Sequence, residues 1–575
     1  MLIDIRTIPD GSVIETDVCI VGAGPAGLAI AQELAGQAFR VCVLETGGLE
    51  DEPQIQALAT SEERPLGEPD YPNGFSVRQR RFGGTANRWG IEMRGVAQGC
   101  RYVPLEPIDF EQRDWVPYSG WPFGYQDLEP FYERAHHLCQ LGPYTYRVED
   151  WETQQDRQIP FPKHQFETRM FQVSSKSVFL EDCRHQLEQA ANVTVYLYAT
   201  ATELETNETA TKVERVHVAS LSGQRWAIAP KQVILAMGGI ENARLLLLSN
   251  KTQTAGLGNA YDLVGRYLMD HPIVRSGTLR IQNPKVFQQL ALYDLRPIPQ
   301  SDAYVMGKLL LSETTMRQER ILSMNTALFP APAIYRWNLL RFLLPAGRHY
   351  KSAAVDGAIA LKAALRRKAF SKDTLLLLKD VLGGLDDILY FLSRKPNPLK
   401  QLLPEKYGFD TGGWSAMEHP EKKFGLFEVV HLTEQAPDPE NRVTLGKERD
   451  RLGCLKAYLT WRWNELDRAS IIRTQKLLVD EFAGAGIGTF QPETDKGDPQ
   501  PIRLSAHHTI GTTRMHVDPK QGVVDANCKV HGVSNVFIAG SSVFPTGGYA
   551  NPTLTIIALS IRLADEIKRQ YGSLV

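Results

Sequence analysis

The stretch LSAHHTIGTTRMHVD, residues 504–518, sets His507 and His508 side by side ahead of a Gly-Thr-Thr-Arg-Met run. Adjacent imidazoles admit three readings: a metal site, a proton acceptor, or side chains with only packing to do. If the segment is extended, neighbouring residues point to opposite faces. That is poor geometry for holding one ion, so no metal is called for. An imidazole near its ordinary pKa of about 6.5 suits proton transfer near neutral pH. Further along, Asn551 precedes Pro552 in GGYANPTLT, a pair favoured at the N-cap and first position of a helix. A helix starting there would direct unpaired N–H groups, and Thr553, at whatever lies beyond.

The second constellation is at the N-terminus. DVCIV (17–21) is a short β-branched run typical of a buried parallel strand. Gly22, Gly24 and Gly27 follow in GxGxxG register, with Ala26 between them, and the apolar positions then recur at helical spacing. A second strand, RVCVLE, ends at Glu45. The glycines allow a tight turn, close approach of the backbone to a pyrophosphate, and close helix–strand packing. The helix start offers N–H groups to phosphate, and Glu45 sits where a carboxylate can accept from an adenosine ribose. The unit reads as an ADP-binding βαβ. Its position, with some five hundred residues after it, leans toward FAD over a nicotinamide.

These elements need a large frame. At 575 residues the chain exceeds one ordinary core. With 43% apolar and 23% charged residues it reads as a soluble globular protein. The net charge of −2 and the lack of a terminal basic run argue against nucleic acid as partner. Seven scattered cysteines without CxxC spacing fit buried thiols in a reducing compartment. Neither a signal peptide nor a spanning helix is evident, so the expected location is cytoplasmic. RRFGGTANRWG (80–90) is a second glycine turn, with Gly83, Gly84, Thr85 and Asn87. Residues 193–205 and 225–239 predict strands, the latter leading into a helix; short β-like runs fill 276–330 and return at 424–463. Residues 330–400 have helical periodicity throughout.

Five stretches in this order, VGAGPAGLAIAQEL, FGGTANRWG, VILAMGGIENARLLLLSN, VGRYLMDHP and GVVDANCKVHGVSNVFIAGSSVFPTGGYANPTLT, resemble the glucose–methanol–choline (GMC) family of FAD-dependent alcohol oxidoreductases. SGWPFGYQDLEPFYERA (119–135) is similar to its pyranose oxidase and bacterial sugar or cyclitol branch. The resemblance implies an α/β, discontinuous FAD domain of the p-hydroxybenzoate hydroxylase type, beside a substrate domain whose antiparallel sheet roofs the flavin. On this division residues 1–110, 191–275 and 501–575 form the FAD unit, and 111–190 and 276–500 the substrate unit, with a helical insertion at 330–400. It implies His508, five residues before Thr513, and Asn551 as the catalytic pair, with His507 off by one. It places FAD contacts at Gly22, Gly24, Ala26, Gly27 and Glu45, at Gly83, Gly84, Thr85 and Asn87, and at Ala201, Gly540, Ser541, Asn551 and Thr553. Arg88 stands where a pyranose oxidase carries the histidine that bonds covalently to flavin, so FAD is expected to be noncovalent.

The implied reaction moves a hydride from an alcohol carbon to flavin N5, with His508 as the base taking the hydroxyl proton. Asn551 would steady the developing alkoxide. His271, His516 and His531 read as structural. The expected substrate is a secondary hydroxyl of a sugar, glycoside or cyclitol. A lipid or terpenoid alcohol and a non-catalytic flavin carrier are the alternatives. The expected electron acceptor is oxygen, a quinone or another acceptor. Between Arg336 and Lys372 nine Lys/Arg face one acid, Asp356, among Trp and Phe. That pattern could meet an anionic membrane surface, although a packed arm or an oligomer contact through 335–395 explains it as well.

Overall fold

The computed structural model describes residues 1–62, 77–93, 96–154, 156–332, 412–495, 497–503 and 505–572. The helical insertion at 330–400 and the proposed contact through 335–395 therefore lie almost wholly outside the described residues.

An eight-stranded sheet forms around the N-terminal βαβ unit. Val13–Val21 lies between Val41–Leu44 and Arg225–Leu235, parallel to both. Val193–Leu197 and Val536–Ile538 extend the parallel part. All four residues of Val41–Leu44 and the last six of Val13–Val21 are buried, as continuous apolar runs in parallel sheets demand. The run read as one strand over 193–205 is two, broken at Tyr198, whose φ is +60°. The helices Pro25–Glu33 and Thr553–Gly572 pack against each other, and Tyr125–Leu138 packs on the latter.

The second sheet has eleven strands with antiparallel pairing. Ile273–Ile281, Phe424–Thr433, Met324–Pro332, Tyr304–Leu311 and Phe166–Ser175 are neighbours in that order. Residues 91–102, grouped on sequence with the nucleotide unit, enter this sheet instead, Val96–Tyr102 pairing with Phe166–Ser175. Their mixed small and polar sequence suits an antiparallel ladder better than a parallel core. One long helix, Glu465–Gly484, packs on the sheet. It starts at a capping box in which the Asn464 side chain accepts from Asp467 N–H and the Asp467 carboxylate accepts from Asn464 N–H. The sequence reading missed this helix.

Candidate active site

Between the two sheets runs a cavity of about 380 Å³, lined at one end by Gly22 and Glu45 and at the other by His508 and Asn551. At the first end Gly22 and Gly27 are sterically required. Gly22 has φ +110°, and a Cβ there would lie 2.7 Å from the Ala236 carbonyl oxygen. A Cβ on Gly27 would lie 2.0 Å from the Gly22 carbonyl oxygen, well inside contact distance. The helix Pro25–Glu33 begins at Gly24 with no side-chain cap, so its first N–H groups are left for a ligand. Glu45 is buried; its carboxylate accepts from Gly47 N–H at 2.9 Å and Ala23 N–H at 3.1 Å. Burial pushes this carboxyl up from its ordinary range.

The second glycine turn abuts the first: Gly83 N–H donates to the Ala23 carbonyl at 2.8 Å, and a Cβ on Gly84 would lie 2.9 Å from Gly24 Cα. Gly22, Gly24, Ala26, Glu45, Gly84 and Thr85 all line the cavity. So do Ala201, Gly540, Ser541, Asn551 and Thr553. Gly27, Gly83 and Asn87 do not. Gly27 lies in the helix–strand contact, and Asn87 clamps the second turn by donating to the carbonyls of Phe82 and Gly84. Arg88 lines the cavity and donates to Gln79 Oε1.

Sequence reasoning missed a buried ionic cluster beside Glu45. Glu241 pairs with Arg78, with Arg80 at 2.8 Å and with Arg244 at 3.2 Å, and Arg244 reaches Asp450 at 2.6 Å. Burial and the neighbouring Arg244 pull Arg80 down to about 10.

At the other end, Met269 and Ile510 exchange backbone hydrogen bonds of 3.0 and 2.9 Å, laying the 269–271 and 505–510 segments side by side. Asp270 then accepts from the N–H groups of His271, Ala506 and His508 and from the Ser505 hydroxyl. His508 Nδ1 lies 2.9 Å from His271 Nδ1, and His508 Nε2 lies 3.5 Å from Asn551 Nδ2. The doublet separates by backbone conformation: His507 has φ +67° and is exposed, while His508 is half-buried at the cavity wall. Burial, then the neighbours His271, His507, Lys308 and Arg101, hold the His508 imidazolium well below the usual histidine range. His271, read as structural, is in direct contact with His508. His516 and His531 meet each other instead, His531 Nε2 lying 2.8 Å from the His516 carbonyl oxygen.

The loop ahead of Asn551 is tied from several sides. Trp121 donates to the Thr546 hydroxyl, His271 meets the Gly548 carbonyl, Asn325 donates to the Tyr549 carbonyl and the Tyr549 hydroxyl donates to Glu106. Lys308, 1% exposed on the second sheet, donates to Asn325 at 2.8 Å. Asn551 Oδ1 is buried without a hydrogen-bond partner among the described residues. An orphaned amide oxygen at one end and glycines that tolerate no Cβ at the other suit a long dinucleotide lying between them.

Residues 15–60 match the FAD binding domain family, and residues 437–560 match GMC oxidoreductase. The fructose dehydrogenase large subunit of Gluconobacter japonicus is 36% identical over 135 residues, 23% of this chain and 24% of that one. The chain thus aligns with only about a quarter of that relative. The 2-methyl-1,2-propanediol dehydrogenase of Mycolicibacterium austroafricanum is 23% identical over 98% of this chain and 96% of its own. A formate oxidase crystal structure shares the fold, with a TM-score of 0.52 at 19% identity, covering 99% of this chain and 100% of that one. The family matches support an FAD-dependent oxidoreductase. Over residues 437–560 the chain is similar to GMC oxidoreductases, and over residues 15–60 to FAD-binding domains.

Proposed function

We propose that the protein oxidises an alcohol to a carbonyl, with His508 as general base and Asn551 as its partner, acting on a secondary hydroxyl of a sugar, glycoside or cyclitol. The observation that carries this is the facing pair of His508 Nε2 and Asn551 Nδ2, 3.5 Å apart, at the end of the cavity remote from Glu45. A hydroxyl oxygen at hydrogen-bond distance from both closes a triangle, donating its proton to the imidazole and accepting from the amide. Asn551, being neutral, steadies charge on that oxygen without competing for the proton. Bound FAD supplies the two-electron acceptor that takes the hydride from the carbinol carbon. Gly22, Gly24, Ala26, Glu45, Gly84, Thr85, Ala201, Gly540, Ser541 and Thr553 hold that cofactor, and Gly27, Gly83 and Asn87 hold the turns that do so. Arg88 cannot form a flavin bond of the histidyl kind, so FAD is held noncovalently. The electrons leave to oxygen, a quinone or another acceptor.

The sugar class draws support from the fructose dehydrogenase relative. Ile273 and Leu432 on the cavity wall favour an apolar alcohol as the second reading. Anaerobic bleaching of the flavin against sugars, glycosides, cyclitols and hydrophobic alcohols separates the two. His508→Ala is expected to slow bleaching by about 10²–10⁴-fold, and His507→Ala to change it little. Wild-type bleaching by His508→Ala would remove the base assignment.

A further inference from the structure

We propose that His271 is a positioning residue for the base: by accepting a hydrogen bond from His508 Nδ1–H, it fixes the tautomer whose bare Nε2 faces Asn551 and the substrate. The inference rests on His508 being the base.

Both ring nitrogens of His271 are engaged, and the ring is 1% exposed. Its Nε2 lies 2.9 Å from the Gly548 carbonyl oxygen, and its Nδ1 lies 2.9 Å from His508 Nδ1. A carbonyl oxygen can only accept, so the His271 proton sits on Nε2. Burial keeps His271 in its neutral form, outweighing the pull of Asp270. A neutral imidazole protonated at Nε2 has only a lone pair at Nδ1. At the contact between the two rings His271 must therefore accept, and His508 must donate from Nδ1. The opposite tautomer of His508 would set two lone pairs against each other at 2.9 Å.

Neutral His508 has a single N–H. With that proton committed to His271, Nε2 carries the free lone pair, and this is the nitrogen facing Asn551 Nδ2. The Asn551 amide points an N–H donor, not its oxygen, at that nitrogen, which is the match the tautomer requires. When His508 gains a proton at Nε2, its Nδ1–H keeps the same acceptor, so the ring need not turn. The packing is built for the contact: the rings meet edge to face at 83° with centroids 5.1 Å apart. Gly547 lets the chain pass closely, since a Cβ there would lie 3.1 Å from His271 Nε2.

Two variants of similar size split the functions of the ring. His271→Asn puts an amide oxygen where Nδ1 was and keeps an acceptor for His508, at the expense of the Gly548 bond. His271→Gln keeps a donor for Gly548 but offers His508 nothing. Anaerobic flavin reduction in the holoenzyme is expected to stay within a few-fold of wild type for His271→Asn. For His271→Gln it should fall by on the order of 10–100-fold, the range seen when the partner orienting a metal-bound imidazole is removed. A ring that merely props the 545–551 loop predicts the reverse order, and that order, or equal rates, overturns the proposal. Histidine 15N NMR of the resting holoenzyme is an independent readout: His508 must show its proton at Nδ1 in wild type, and a proton at Nε2 overturns the assignment. His508→Ala, measured alongside, keeps the two levels apart. If it reduces flavin at the wild-type rate the base assignment fails. If it is slow while His271→Gln is fast, only the role of His271 fails.

Discussion

Lowering the pH tests the electrostatics of the proposed base directly. As a general base His508 would accept a proton only when neutral, so on that proposal the reduction rate follows its neutral fraction. An unperturbed imidazole with a pKa of about 6.5 is half neutral at pH 6.5 and about one-eleventh neutral at pH 5.5, a loss from the fully neutral plateau equivalent to about 1.4 kcal/mol. His508 is not in that situation. It faces His507 from its own segment, His271 from the neighbouring segment, Lys308 from Tyr304–Leu311 and Arg101 from Val96–Tyr102, and the charge of Arg101 disfavours a second positive charge beside it. The nearby carboxylate, Asp270, accepts main-chain N–H groups of the same loop. Burial adds the largest contribution in the same direction. The acid limb is thus expected well below pH 6.5. The assay is anaerobic stopped-flow reduction at limiting concentration of a non-ionising alcohol from pH 5 to 9, with flavin retention checked at each pH. The rate should hold its plateau through pH 6.5 and, at pH 5.5, stay above the one-tenth expected of an ordinary histidine. An acid limb centred at or above pH 6.5 would refute the reasoning.

Two further outcomes follow from steric and ionic contacts. Gly27→Ala puts a Cβ 2.0 Å from the Gly22 carbonyl oxygen; the forced shift costs about 1–3 kcal/mol of overpacking and distorts the phosphate turn, so purified protein should carry markedly less flavin by absorbance, and full loading would sink the assignment. Glu434 and Arg113 form an ion pair with both side chains 0% exposed, and Glu434 also accepts from Ser323; Glu434→Ala leaves a buried guanidinium uncompensated, costs about 3–5 kcal/mol, and should lower Tm clearly by calorimetry, whereas an unchanged Tm would show that the pair is not sustaining the fold.

The parts of the site legible in the sequence are those that are contiguous along it. The strand, glycine turn, helix and acid of residues 17–45 specify one another locally, and Gly22 and Gly27 sit where no side chain fits. His508 and Asn551 were visible through their places in longer motifs, not through any property of a lone histidine or asparagine. What escaped was set by the register of distant strands. Asn325 reaches the loop before Asn551, and Lys308 reaches Asn325, because Met324–Pro332 and Tyr304–Leu311 are neighbours in the second sheet. No periodicity announces that. His271 and His508 are 237 residues apart and meet only because Met269 pairs with Ile510. The helix Glu465–Gly484 is a different kind of miss, since its capping box of Asn464 and Asp467 was there to be read.

The two side chains proposed as the catalytic pair are held from both sheets. Asn551 stands at the start of a helix packed against Pro25–Glu33 of the nucleotide unit, yet the loop that delivers it is tied through Asn325 to the second sheet and through His271 to the 269–271 segment. His508 is gripped by that same segment, through Asp270 to its backbone and His271 to its ring. One short segment therefore contacts both members of the pair, through His271 to the Gly548 carbonyl and to the His508 ring. The cavity-lining residues Ile273 and Leu432 lie on strands outside that segment. On the proposed function, substitutions at those positions are expected to change which alcohol reduces the flavin while leaving the contacts of His508 and Asn551 with the 269–271 segment in place.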